Sequence, residues 1–165
     1  MIRWRGWLPV ALLANAAQAA FQPIQDRPYR YESVETRTVD GVERRFQSTR
    51  TVVFHQTERG FSAIVTLVMV DQQTAAGVAR MFATATASLL NRPLHFTLGP
   101  DGSIEGVEDA DATIAHIAAA IERMAMGTRR PGMSSALAAP LRAMPPERKV
   151  AMLTSILSPL LAGPL

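Results

Sequence analysis

Residues 42–55 read Val42-Glu43-Arg44-Arg45-Phe46-Gln47-Ser48-Thr49-Arg50-Thr51-Val52-Val53-Phe54-His55. Val42, Phe46, Val52 and Phe54 fall at even spacing, which puts all four on one face of a β-strand. The alternates Glu43, Arg45, Gln47, Thr49 and Thr51 suit a solvated face. Upstream, Tyr29 to Val39 is rich in Tyr, Val and Thr. Asp40-Gly41 lies between the two runs and is the strongest short hairpin signal. Downstream, Glu58-Arg59-Gly60 supplies a second turn. Phe61 to Val70 is almost continuously apolar, as in a strand with both faces at least partly covered. These residues predict a three-stranded meander.

Beyond Val70 the period changes. Val78, Met81, Phe82, Ala85 and Leu89 recur at helical spacing over Thr74 to Leu90. Thr74 is the expected cap, and Asn91-Arg92-Pro93 ends the helix. Leu94, Phe96 and Leu98 then alternate with His95 and Thr97, Asp101-Gly102 turns the chain, and Ile104 and Val107 belong to a return strand. A second helix is expected from Asp109 to Met126, with Ile114, Ile117, Ala118, Ile121, Met124 and Ala125 on one stripe. Asp109 or Asp111 can cap its amide groups, and Gly127 stops it. Ser134 or Ser135 can cap a short helix to Met144. A last helix opens at Pro146, a residue suited to a first helical position. Val150, Leu153, Ile156, Leu157 and Leu160 line one of its faces, and Pro159 weakens its final turn.

The fold class is therefore α+β: an antiparallel curved sheet of about five strands (three-strand meander, helix, hairpin) packed with about four helices, an incomplete half-barrel. At 165 residues the chain is long enough for one such domain. A 48% hydrophobic composition excludes a disordered polymer, and the absence of cysteine excludes a disulfide scaffold and any thiolate metal site.

The amino terminus stands apart from this pattern. Arg3 and Arg5 flank the apolar run Leu8 to Ala17, and Ala17-Gln18-Ala19 fits the small-x-small cleavage rule. Residues 1–19 read as a secretory signal peptide, residues 20–28 as an extended leader, and 29–165 as a single α+β domain. A permanent membrane span needs about 20 apolar residues, and this run is half that. Removing residues 1–19 takes away two arginines and leaves fifteen basic against fourteen acidic residues, a net +1. Nucleic-acid binding needs a concentrated basic face and is not expected. The signal type, the arginine and alanine bias and the missing cysteines point to the periplasm of a Gram-negative bacterium.

The candidate chemistry is sparse. Asp101 to Ala112 carries oxygens at several positions of a calcium loop, with Gly106 at the sixth, but the twelfth must be a bidentate carboxylate and is Ala112. His55, His95 and His116 lie on three elements without a metal-ligand spacing; His116 lies off its helix's apolar stripe and is expected in solvent. No Gly-x-Ser-x-Gly elbow occurs, and Ser134-Ser135 read as caps. Arg44 and Arg45 point to opposite faces of a strand, and Arg129-Arg130 falls in a linker. No cofactor and no metal site is expected.

The run Leu94-His-Phe-Thr-Leu-Gly-Pro-Asp-Gly-Ser-Ile-Glu-Gly-Val-Glu-Asp-Ala-Asp111 is similar to a group of uncharacterised exported bacterial proteins. They share a hydrophobic strand, a polar turn with Asp-Gly or its equivalent, a valine or isoleucine, and an acidic helix start. That group resembles the lipoprotein-carrier half-barrel fold. The resemblance covers about residues 29–160 and implies no catalytic residues. Proteins of that kind continue beyond the Pro-Pro helix into further strands, whereas this chain ends at Leu165, so the resemblance implies a sheet with an open edge.

The function expected is that of a non-enzymatic exported domain binding an apolar ligand, such as a lipid, or an envelope partner. Phe46, Phe54, Val65, Leu67, Phe96 and Ile117 are the expected ligand-lining residues, contributing van der Waals contact only. One alternative is a structural or assembly module that pairs, or self-associates, through an exposed sheet edge. A hydrolase without a recognisable motif comes third.

Overall fold

In the computed structural model, described over residues 21–39, 42–71, 78–126 and 138–161, the β-branched and aromatic runs form strands β1 (Pro28–Val39), β2 (Val42–Thr57) and β3 (Gly60–Asp71). Helix α1 (Val78–Ala87) follows, then β4 (Pro93–Leu98), β5 (Ile104–Val107) and α2 (Ala110–Met126). A helical segment at residues 138–142, α3, precedes α4 (Pro146–Leu161). The strands form one open antiparallel sheet in the order β1-β2-β3-β4-β5, not closed into a barrel. The class is α+β.

The expected signal segment 1–19, the Asp40-Gly41 turn, the Thr74 cap, Gly127, Arg129-Arg130 and the Ser134 and Ser135 caps lie outside the described residues. Val39 and Val42, on either side of residues 40 and 41, are partners in the β1–β2 ladder. Among the described residues no helix is long and apolar enough to cross a membrane.

Pairing register explains which face is apolar. Val52 sits opposite Val65 and Phe54 opposite Ala63, and β4 continues the row with Leu94 opposite Val65 and Phe96 opposite Ala63. All six are buried. Helix α4 covers this row with Leu157 and Leu160. A second buried cluster joins Leu67 and Leu89 to Ile114, Ile117 and Ile121 of α2 and Leu153 of α4. The spacing of the α2 residues is helical, so one stripe meets the core.

The register slips once between β2 and β3. Arg50 faces Leu67 and Thr49 faces Met69, which leaves Val68 as the extra residue of a bulge. Past the bulge Val68 and Met69 are both exposed and Val70 turns back to pack on the second cluster. Phe61 to Val70 is therefore covered along one row and open at its end. Thr49, which sequence alternation places in solvent, is 0% exposed.

Turns are set by local chemistry. Gly60 adopts φ 154°, and a Cβ there would lie 2.4 Å from the Leu98 carbonyl oxygen. At the β4–β5 turn Asp101 Oδ1 accepts from the Ser103 amide (2.9 Å) and hydroxyl (2.6 Å). These two bonds, the side-chain one first, hold the Asp101 carboxyl below the usual aspartate range. The acidic stretch is thus a hairpin turn followed by a helix start, with the Thr113 amide donating to the Asp109 carbonyl (2.9 Å).

The leader is docked. The ring of Phe21 packs edge-on against Phe61 (5.2 Å between centroids) and Phe54 (5.6 Å). The Asp26 amide donates to the Phe54 carbonyl (2.9 Å), and Asp26 Oδ1 lies 2.5 Å from His55 Nδ1.

Candidate functional site

Between the sheet and the helices lies a cavity of about 420 Å³. Pockets that hold small molecules fall in roughly the 300–1,000 Å³ range, whereas packed cores have few voids larger than a water. The sheet supplies Phe46, Val65, Leu67, Val70 and Leu94. Helix α1 supplies Ala83, Ala85 and Thr86, α2 supplies Ile117, and α4 supplies Met152, Leu153 and Ile156. The hollow draws on both core clusters, with Val65 and Leu94 from one and Leu67, Ile117 and Leu153 from the other. The described lining of α1, Ala83, Ala85 and Thr86, is built from small side chains.

One stretch of the wall is polar. On β2, Ser48 and Arg50 interrupt the row that runs from Phe46 to Val52 and Phe54. Ser48 pairs with Ser33 of β1, and their hydroxyl oxygens lie 2.8 Å apart. Arg50 Nη1 donates to Ser33 Oγ (3.0 Å). The guanidinium is half-buried and fixed at the cavity wall. Arg92 and Asp71 also line the wall from exposed positions.

Of the six residues expected to line a ligand site, the structure brings Phe46, Val65, Leu67 and Ile117 to this cavity. Phe54 and Phe96 do not reach it. Phe54 is closed over by Phe21 and Tyr29, and Phe96 is buried in the first cluster between Ala63 and Val107. Sequence reading missed Ser33, Ser48 and Arg50. The available signal was the even spacing itself, because positions 48 and 50 share the face of positions 46, 52 and 54.

The histidines perform other tasks. His116, expected in solvent, is half-buried, and its Nε2 lies 3.0 Å from the Ser88 carbonyl oxygen, tying α2 to the end of α1. His55 holds Asp26 and faces Ser62 across the β2–β3 ladder. Among the described residues no group of three or more His, Cys, Asp or Glu side chains could hold a metal ion. A second hollow, bounded by Phe21, Gln22, Gln56, Glu58 and Pro100, is an open surface depression with mixed walls.

Compared with protein-family models, with curated proteins and with solved structures, the chain matches none.

Proposed function

We propose that this chain is a non-enzymatic binding domain that takes up an apolar ligand in the cavity between its sheet and its helices. One observation carries the reading: a cavity of about 420 Å³ persists at the junction of the two core clusters, lined mainly by aliphatic side chains. Left empty, such a hollow forfeits dispersion contacts on every wall. A ligand would restore them. The signal-like residues 1–19 support an exported, periplasmic setting for this binding, and the likeness to the lipoprotein-carrier half-barrel supports the same class of ligand.

A second reading is pairing of two copies through β1. It is favoured by the position of this 12-residue strand at the edge of the sheet, with Val34 48% exposed. Long exposed edges template further strands. Native mass spectrometry of the protein purified from the cells that make it separates the two. A monomer carrying a lipid-sized adduct supports the binding domain. A dimer without adduct supports edge pairing and contradicts it.

A further inference from the structure

We propose that the ligand inserts a single unbranched hydrocarbon chain, and that the cavity rejects lipids whose two chains would have to enter side by side. This rests on the reading of the cavity as an apolar binding site and adds the number and shape of the chains it takes. Length and volume together set the section of the hollow. Val65, Leu67, Val70 and Asp71 of β3 line it in turn, so it follows the strand for six residue steps, about 20 Å at the rise of a β-strand. A volume of about 420 Å³ drawn out over that length leaves a channel about 5 Å across. Carbon atoms in contact sit about 3.5–4.0 Å apart. That section takes one chain or one flat ring and leaves no space for a second chain beside it.

Capacity agrees with section. An engineered protein cavity of about 150 Å³ takes one benzene, six carbons. At the same filling, about 420 Å³ holds about 17 carbons, the size of one long chain and about half of a two-chain lipid. The walls are graded along the channel. At one end Val65 and Leu94 are partners in the β3–β4 ladder, and both are buried. Leu67, Ile117 and Leu153 follow. At the other end Gln47 and Asp71 are partners in the β2–β3 ladder, with Gln47 half-buried and Asp71 exposed. The methyl end of the chain therefore lies at Val65 and Leu94, and the polar end of an amphiphile stays beside Gln47 and Asp71. The reverse orientation would strip a polar group of water among aliphatic side chains.

The proposal is tested by competition. Wild-type protein is loaded with N-phenyl-1-naphthylamine, an uncharged fluorophore with flat rings. It is displaced with straight-chain hexanol, octanol, decanol and dodecanol, and with 2-butyloctanol. The last is an isomer of dodecanol, with the same carbons and the same hydroxyl arranged on two arms. Displacement should tighten about fourfold for each added methylene through dodecanol, as each one leaves water for the channel. 2-Butyloctanol should compete at least about tenfold more weakly than dodecanol, because its second arm stays in water.

Equal competition by the two isomers overturns the proposal and leaves the apolar-site reading standing. A series that stops tightening at octanol also overturns it, because the hollow would then be too short for a long chain. Failure of the wild-type protein to take up the fluorophore or any of the alcohols overturns the apolar-site reading and this proposal together.

Discussion

Thr49 and Tyr31 each bury a hydroxyl oxygen that has no hydrogen-bond partner. A buried polar atom without a partner costs about 1–3 kcal/mol. Thr49 is the clearer case, since its whole side chain is out of water and valine has the same branched shape. Thr49→Val should stabilise the protein by about 1 kcal/mol, read as a higher urea midpoint at constant slope. A lower midpoint would mean that the hydroxyl is satisfied after all. Burial of Tyr31, and beyond that the neighbouring Tyr29, raises its phenol pKa above 10.0. Gly60 sits at the opposite extreme. Its φ of 154° and the 2.4 Å approach to the Leu98 oxygen leave no room for a side chain. Gly60→Ala should cost at least about 2 kcal/mol in the same measurement.

Elements are joined by a few specific contacts. Phe21 anchors the leader on Phe54 and Phe61, and aromatic pairs of this kind contribute about 0.5–1.5 kcal/mol each beyond burial. Phe21→Ala should lower stability by about 1–3 kcal/mol and speed amide exchange at Asp26, whose bond to Phe54 it protects. On the helical side, Arg142 at the end of α3 grips both carboxylate oxygens of Glu122 on α2, with Nη2 to Oε2 at 2.7 Å. The Arg142 hydrogen bonds hold the Glu122 carboxyl below its ordinary 4.5. A lowered acid stabilises the fold fully above the unfolded value and loses that contribution as pH falls through the folded one. Wild type should therefore melt above Arg142→Gln near neutrality, and the two melting curves should converge on acidification below 4.5. A gap that persists in acid would assign the arginine a packing role.

These elements were largely legible because their signals are local. Even spacing in β2, the Asn91-Arg92-Pro93 stop and the helical stripe of α2 each depend on a few neighbouring residues. Pro159 weakens the end of α4 on propensity, yet the helix runs to Leu161 because Leu160 is buried beneath it. Position 49 was not legible because alternation assigns it to the face away from Val52 and Phe54, and burial on that face depends on tertiary neighbours rather than on the strand's own sequence.

At the scale of the molecule, the cavity is the feature that sequence could only sketch. Phe46, Val65, Leu67 and Ile117 were legible as inward-facing residues, since periodicity assigns faces. Periodicity does not say which inward residues meet each other and which face a void, so Phe54 and Phe96 looked equivalent to them. The void lies where strands β2, β3 and β4 meet helices α1, α2 and α4, so it depends on tertiary packing.

Ala83 gives direct access to the central claim. Its buried side chain lines the cavity from α1, and a larger one would grow into the empty space. The decisive measurement is the fluorescence titration of wild type and Ala83→Phe with N-phenyl-1-naphthylamine, alongside their melting temperatures. Saturable uptake by wild type, lost in an Ala83→Phe protein that melts at or above the wild-type temperature, is the predicted result. Undiminished uptake by a folded Ala83→Phe protein would contradict the cavity as the binding site.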